Sequence, residues 1–298
     1  MHRLGILLLF ITGCSRAWTD GSLVQSGPSS AAHPRAEIGP SSDMFPEVQP
    51  ASFRATSAVG SPATDRSIGW LYPPVFSTDD PVQGSARPYV PQPGDIFLCT
   101  DQFILARWGH QLAGACSPHH SGLIIGRPDG GVAMLESGPH DTLWVRVLDL
   151  GENLGKYEDE KETIWIRRRK TPLTPEQSER LTEFAMKQNG KLFAWGRVLG
   201  QLTPFRSRGP WTEWVGGPHG GNRVSYFCSE LVLETLVYAG LLDPNRTRPA
   251  ATYPCDLFYG ASTNAFIDDH LDINAYWEAP APWRRQPRSA SSYQNMAN

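Results

Sequence analysis

Apolar and polar positions follow two different rhythms along the middle of this chain, and the change of rhythm separates strands from helices. Short apolar runs bounded by turn residues predict strands at Ile96–Leu98 and Ser121–Gly126. The turn Arg127–Gly131 then returns Val132–Glu136 as a hairpin partner. Alternation predicts two more strands, over Trp144–Leu150 and around Ile164 and Ile166 within Glu162–Arg168. After Thr174 the period becomes helical. Leu181, Phe184 and Ala185 share a face, Thr174-Pro175-Glu176-Gln177 supplies an N-cap, a first-turn proline and a capping-box glutamine, and Gly190 stops the helix. A second helical period, Leu231, Val232, Thr235, Leu236 and Ala239, follows Cys228 and stops at Gly240. It predicts an amphipathic helix. Together these elements predict an α+β domain: an antiparallel sheet, or a small barrel, packed against helices, with the cysteine helix after the sheet.

The two ends lack such rhythm. Met1-His2-Arg3 followed by the apolar run Leu4–Ile11 is too short to span a bilayer and predicts a signal-peptide core. Ile11-Thr12-Gly13-Cys14 resembles the bacterial lipobox, which implies a lipoprotein signal over residues 1–14 with Cys14 lipidated; a plain secretory signal is the alternative. Ser15 is similar to the sorting residue that sends diderm lipoproteins to the outer membrane. The expected location is therefore the bacterial envelope, lipid-anchored on the periplasmic face. Residues 15–67, rich in Ser, Ala, Pro and Gly, predict a disordered tether, and residues 274–298 a disordered tail. The domain between them, 68–273 with its core at 93–260, is long enough to bury a sizeable apolar interior.

Among the 298 residues the formal net charge is −3, which argues against a nucleic-acid partner. The basic run Arg167-Arg168-Arg169-Lys170 is expected at a solvated strand edge. Of five cysteines, four fall in the domain: Cys99, Cys116, Cys228 and Cys255. A Cys99–Cys116 disulfide is compatible with export, although spacing does not establish it. Neither Cys-x-x-Cys nor His-Glu-x-x-His occurs, so no metal site and no cofactor are expected, and the protein is taken as a monomer.

The candidate chemistry centres on Cys228. A cysteine in the first helical turn meets unpaired backbone N–H groups and the positive end of the helix dipole, which favour an anion. Such a nucleophile needs an imidazole to take its proton and a third group to orient that imidazole. His120 immediately precedes the strand Ser121–Gly126, Gly122 leaves room there for a neighbouring helix, and Glu136 on the hairpin partner is placed to lie beside His120. His119 is shifted by one residue to the opposite face. Cys116 is the rival nucleophile, but Ser117-Pro118 after it spoil a helix start. The segment Lys191–Val224, with Trp195, Trp211, Trp214, Phe193 and Phe205 among many glycines, predicts either a lid over the site or an insertion stapled by its own tryptophans. Tyr226 and Trp195 are the candidates for oxyanion or substrate contact.

Pro93-Gly94-Asp95-Ile96-Phe97-Leu98, His119-His120-Ser121-Gly122-Leu123-Ile124-Ile125-Gly126 and Phe227-Cys228-Ser229-Glu230-Leu231-Val232 together resemble the NlpC-type papain-like superfamily. With the cysteine helix last, the order is that of the circularly permuted branch that includes the YiiX/YaeF-like amidases and the lecithin:retinol acyltransferase-like enzymes. The resemblance implies a permuted papain-like fold with Cys228 as nucleophile, His120 as general base and Glu136 as orienting residue. The expected activity is an envelope-anchored thiol hydrolase cleaving an amide or ester, on peptidoglycan peptides or lipid-linked amides. The alternatives are a thiol acyltransferase or phospholipase-like enzyme, and a non-catalytic envelope binding domain.

Overall fold

The computed structural model describes residues 67–100, 115–138, 140, 142–201, 203, 206–262, 264, 266 and 271–287. The signal, Cys14, the tether up to residue 66, Phe205, His110, His270 and the chain beyond residue 287 lie outside the described residues. Along the chain, β1 (Trp70–Leu71), β2 (Arg87–Pro88), β3 (Ile96–Cys99), β4 (His120–Gly126), β5 (Val132–Ser137) and β6 (Val145–Asp149) precede α1 (Leu150–Asp159) and β7 (Ile164–Arg167). Next come α2 (Pro175–Gln188), β8 (Leu192–Phe193), the short α3 (Trp195–Gly200) and α4 (Thr212–Val215), and β9 (Ser225–Tyr226). The chain then forms α5 (Cys228–Tyr238), α6 (Pro254–Tyr259), α7 (Ile273–Tyr276) and β10 (Ala281–Arg284).

Eight strands form one sheet in the order β2-β1-β10-β7-β3-β4-β5-β6, each neighbouring pair antiparallel. β2 and β6 stand at its two ends, so among the described residues the sheet is open and does not close into a barrel. β8 and β9 form a separate parallel pair. No helix among the described residues is long and apolar enough to cross a membrane.

Both faces of the sheet are covered. Ile96 and Leu98 of β3, Leu123 and Ile125 of β4 and Leu135 of β5 meet Leu181 and Phe184 of α2 and Leu231, Val232 and Leu236 of α5 in one core. Phe97, Ile124, Met134 and Ile166 point the other way, onto Leu150, Leu154 and Tyr157 of α1 and Trp283 of β10. A strand buried on both sides has no polar position to alternate with, which is why β3 reads Ile-Phe-Leu-Cys. The capping box of α2 is present: Thr174 Oγ1 accepts from Gln177 N at 3.2 Å, and Gln177 Oε1 accepts from Thr174 N at 3.0 Å.

Three expectations are corrected. The tail does not begin at residue 274. Trp277, just after α7, and Trp283 of β10 are buried in the core, and β10 pairs with both β1 and β7. The basic run is not a solvated edge either. Arg167 is buried and donates to the Leu257, Phe258 and Glu278 carbonyls and to Asn274 Oδ1, while the Arg169 guanidinium lies 4.4 Å from the centre of the Trp277 ring. These arginines fasten the C-terminal segment to β7. Nor is α5 amphipathic: every residue from Cys228 to Leu236 is buried, Glu230 and Glu234 included. Its two carboxylates are matched by Arg197 and Arg223, which ion-pair with Glu230, and by the N–H groups of His219 and Gly220, which donate to Glu234.

The Pro93-Gly94-Asp95 turn has an architectural task. Gly94 takes the left-handed φ of +91°, and its carbonyl accepts from Trp277 Nε1 at 2.7 Å. The buried Asp95 carboxylate accepts from the Tyr89 hydroxyl and from the N–H groups of Gln92 and Arg169, tying the start of β3 to the end of β7. Burial, partly offset by these N–H donors, raises the Asp95 pKa to about 6.

Candidate active site

β4 and β5 are held in a register that sets Gly122 opposite Glu136. His120, two residues along β4, therefore lies diagonal to Glu136 on the same face of the sheet. With no side chain at Gly122, the Glu136 side chain crosses the space in front of it: a Cβ built there would stand 2.7 Å from Glu136 Cγ. Gly122 thus makes room for Glu136, and not for a helix as its sequence position suggested. The carboxylate reaches His120, with Glu136 Oε2 2.8 Å from His120 Nε2.

Glu136 is fully buried and further supported from α1. The Tyr157 hydroxyl donates to Oε2 at 2.6 Å, and Asn153 Nδ2 donates to Oε1 at 2.5 Å. Burial and the nearby Glu136 charge hold the Tyr157 pKa well above its ordinary value, so this phenol stays a donor. Asn153 and Tyr157 stand four residues apart on one face of the helix. His140 extends the chain of contacts: its ring stacks on Tyr157 at 4.1 Å, Nε2 lies 2.7 Å from Asn153 Oδ1, and Nδ1 lies 2.9 Å from Glu160 Oε2.

Cys228 arrives from the other side of the sheet as the first residue of α5, just where β4 begins. Its Sγ lies 4.0 Å from the carbonyl oxygen of His119, the residue before His120. It is the backbone of His119, not its ring, that faces the sulfur. The start of α5 is fixed by its neighbours. Phe227 N donates to Glu230 Oε2 at 3.4 Å, and the Ser229 hydroxyl donates to the Thr252 carbonyl at 2.6 Å. Burial disfavours charge on His120, but hydrogen bonds with Cys228 and Glu136, and their charges, outweigh it and hold its pKa up at about 10.

The structure thus joins His120 to Glu136 directly and sets the Cys228 sulfur against the backbone of His119 beside them. Tyr226 is placed differently. Its ring belongs to the main core, and its hydroxyl sits among Arg223 and the carboxylates of Glu234 and Glu230. Trp195 is half exposed and packs edge-on against Phe193, whose neighbours on β9 lead into α5.

The segment Lys191–Val224 is fastened by charged side chains. Arg197 and Arg223 bind Glu230, Lys191 Nζ donates to the Gly221 and Arg223 carbonyls, and Arg208 pairs with Asp256 at 2.6 Å. Its staples are therefore charged residues, whereas Trp211 and Trp214 pack against each other at a tilt, with Trp214 80% exposed. Cys99 and Cys116 are not joined: Cys99 packs in the core on the α1 side, and Cys116 hydrogen-bonds with Cys255. Among the described residues no group of three or more His, Cys, Asp or Glu is arranged to hold a metal. Asn153, Tyr157 and His140 were not singled out in the sequence; the signal that could have found the first two is their polar tips at four-residue spacing after Asp149.

No family model matches this chain, and no curated protein matches it. Among solved structures, the metalloprotein yiiX from Escherichia coli O157:H7, of the family DUF1105, aligns at 17% identity over 51% of this chain and 67% of that chain, with a TM-score of 0.36.

Proposed function

We propose that this protein is a thiol hydrolase with a permuted papain-like site, cleaving an amide or ester through Cys228, His120 and Glu136. The observation that supports this reading is the His120 imidazole, held 2.8 Å from the Glu136 carboxylate, with the Cys228 sulfur 4.0 Å from the carbonyl oxygen of the preceding residue. His120 takes the thiol proton and holds it as imidazolium. The sulfur attacks a carbonyl carbon, and the oxyanion that forms is met by backbone N–H groups at the start of α5, which have no partner within the helix. His120 then returns its proton to the leaving amine or alcohol, and water releases the acyl group from the thioester. Glu136 fixes the ring orientation and balances its charge, and is itself held by Tyr157 and Asn153. Anchoring through Cys14 would set this site at the bacterial envelope, facing peptidoglycan peptides or lipid-linked amides.

Transfer of the acyl group to an acceptor other than water is the second reading. It is favoured by the exposed aromatic surface of Trp195, Trp211 and Trp214 on the segment that leads into the site. The test is labelling of the protein with an electrophilic thiol probe, beside Cys228→Ala, His120→Ala and Cys116→Ala variants. Because the exposed Cys116 is itself open to the probe, the adduct is located by peptide mass spectrometry. The expected result is an adduct on Cys228 that is lost in Cys228→Ala, forms markedly more slowly in His120→Ala and is unchanged in Cys116→Ala. An adduct found on Cys116 and never on Cys228 would overturn the assignment. With an acyl donor, mass spectrometry separates free acid, the product of hydrolysis, from a new conjugate, the product of transfer.

A further inference from the structure

Two cysteines outside this site lie against each other. Cys116 stands four residues ahead of His120, in the segment that leads into β4, and Cys255 is the second residue of α6. Ala115 packs with Tyr253 and Cys255 in a small cluster of their own. The Cys255 thiol hydrogen-bonds with both the sulfur and the backbone of Cys116. No disulfide joins them in this structure. The other two described cysteines are engaged elsewhere, Cys99 in the core on the α1 side and Cys228 against His120.

The two thiols are unequal. Cys116 is exposed, and the hydrogen bond from Cys255 lowers its pKa. Cys255 is buried, and its hydrogen bond to Cys116 together with that burial pushes its thiol pKa up. An exposed thiol with a lowered pKa beside a buried thiol with a raised one matches the division of labour between an attacking and a resolving cysteine.

We propose that Cys116 and Cys255 are an oxidation site that a disulfide-bearing oxidant closes into a disulfide. The Cys116 thiolate attacks one sulfur of the oxidant, its S–S bond breaks, and one oxidant thiolate departs, leaving a mixed disulfide. Cys255 gives its proton to solvent and attacks the Cys116 sulfur, expelling the second oxidant thiolate. The protein thiols lose two electrons and two protons, and the oxidant disulfide is reduced to two thiols. The bond ties the residues before His120 to α6, and Ser229, the residue after Cys228, already binds Thr252 just ahead of that helix. Oxidation therefore fastens the approach to His120 onto the neighbourhood of the Cys228 helix start.

The experiment equilibrates the full chain with oxidised or reduced glutathione, alkylates remaining thiols, and maps peptides by mass spectrometry without reduction. The expected result is a single peptide pair joining residues 116 and 255, two hydrogens lighter than the separate peptides. It is removed by dithiothreitol, retained in Cys228→Ala and absent from Cys116→Ser and Cys255→Ser. A bond from Cys116 to any other cysteine, or both thiols still alkylated at every glutathione ratio, would overturn the proposal. The readout is independent of turnover, so it stands or falls separately from the hydrolase reading.

Discussion

Gly122 lets Glu136 reach His120 because it offers nothing in the way. A methyl group there would meet Glu136 Cγ at 2.7 Å and the Leu135 carbonyl at 3.0 Å, and neither a buried side chain nor a strand backbone can yield that much without moving. Gly122→Ala is therefore expected to swing the carboxylate off Nε2 and slow alkylation of Cys228 on the order of tenfold, measured as the second-order rate with a thiol probe. An unchanged rate would show that Glu136 does not act through His120. Tyr157 supports the same carboxylate from the other side. Tyr157→Phe leaves a buried charged oxygen short of a donor and is expected to cost about 1.5–3 kcal/mol in denaturant unfolding. Because His120 and Asn153 still hold Glu136, the variant is expected to keep a labelling rate closer to that of the unsubstituted protein than Gly122→Ala does.

The elements differ in how plainly the sequence announces them. β3, β4, β5 and β7 are bounded by turn residues, α2 carries its own capping box, and α5 begins at the cysteine that chemistry singles out, so these were legible. β10 was not. Its Ala-Pro-Ala-Pro-Trp context reads as a breaker-rich tail, since proline cannot donate to a sheet ladder, yet Pro282 sits in an interior strand and its carbonyl accepts from Tyr72 N at 2.9 Å. Only long-range burial of Trp283 reveals the strand. α1 was missed because the alternation of β6 runs into Leu150 with no proline or glycine between them, and the cap is the single side chain of Asp149 accepting from Glu152 N. With α1 unread, the two residues that hold Glu136 from that helix were out of reach, while Cys228, His120 and Glu136 could be named. Trp283→Ala tests whether β10 is core: loss of a large buried side chain is expected to cost about 3–5 kcal/mol, read from the denaturant midpoint at unchanged slope. A tail residue would cost almost nothing.

Over the whole molecule, burial of acidic groups sets the direction in which stability moves with pH. Asp95 and Glu234 both have pKa values raised by burial, from 3.8 to about 6 and from 4.5 to about 7, so the folded protein holds each proton more tightly than the unfolded chain. Such a group contributes its full stabilisation below the unfolded value and loses it as pH rises through the folded one. His120 moves the same way over a higher window, from 6.5 to about 10, because its gains from Cys228 and Glu136 exceed its burial cost. Glu234 is the cleanest of the three to isolate, since a glutamine keeps the side chain's shape and can still accept from one of the His219 and Gly220 N–H groups, which bind separate Glu234 oxygens at 2.7 and 3.1 Å. Below 4.5 the carboxyl is neutral in both folded and unfolded states, and Glu234→Gln should match the unsubstituted protein. At about pH 8 the native carboxylate is charged in a buried place, and the variant should be the more stable on the order of 2 kcal/mol. Denaturant unfolding at the two pH values measures the difference; a variant that is equally stable at both, or weaker at the higher one, would mean that ionised Glu234 is fully compensated by its N–H donors and by Arg223.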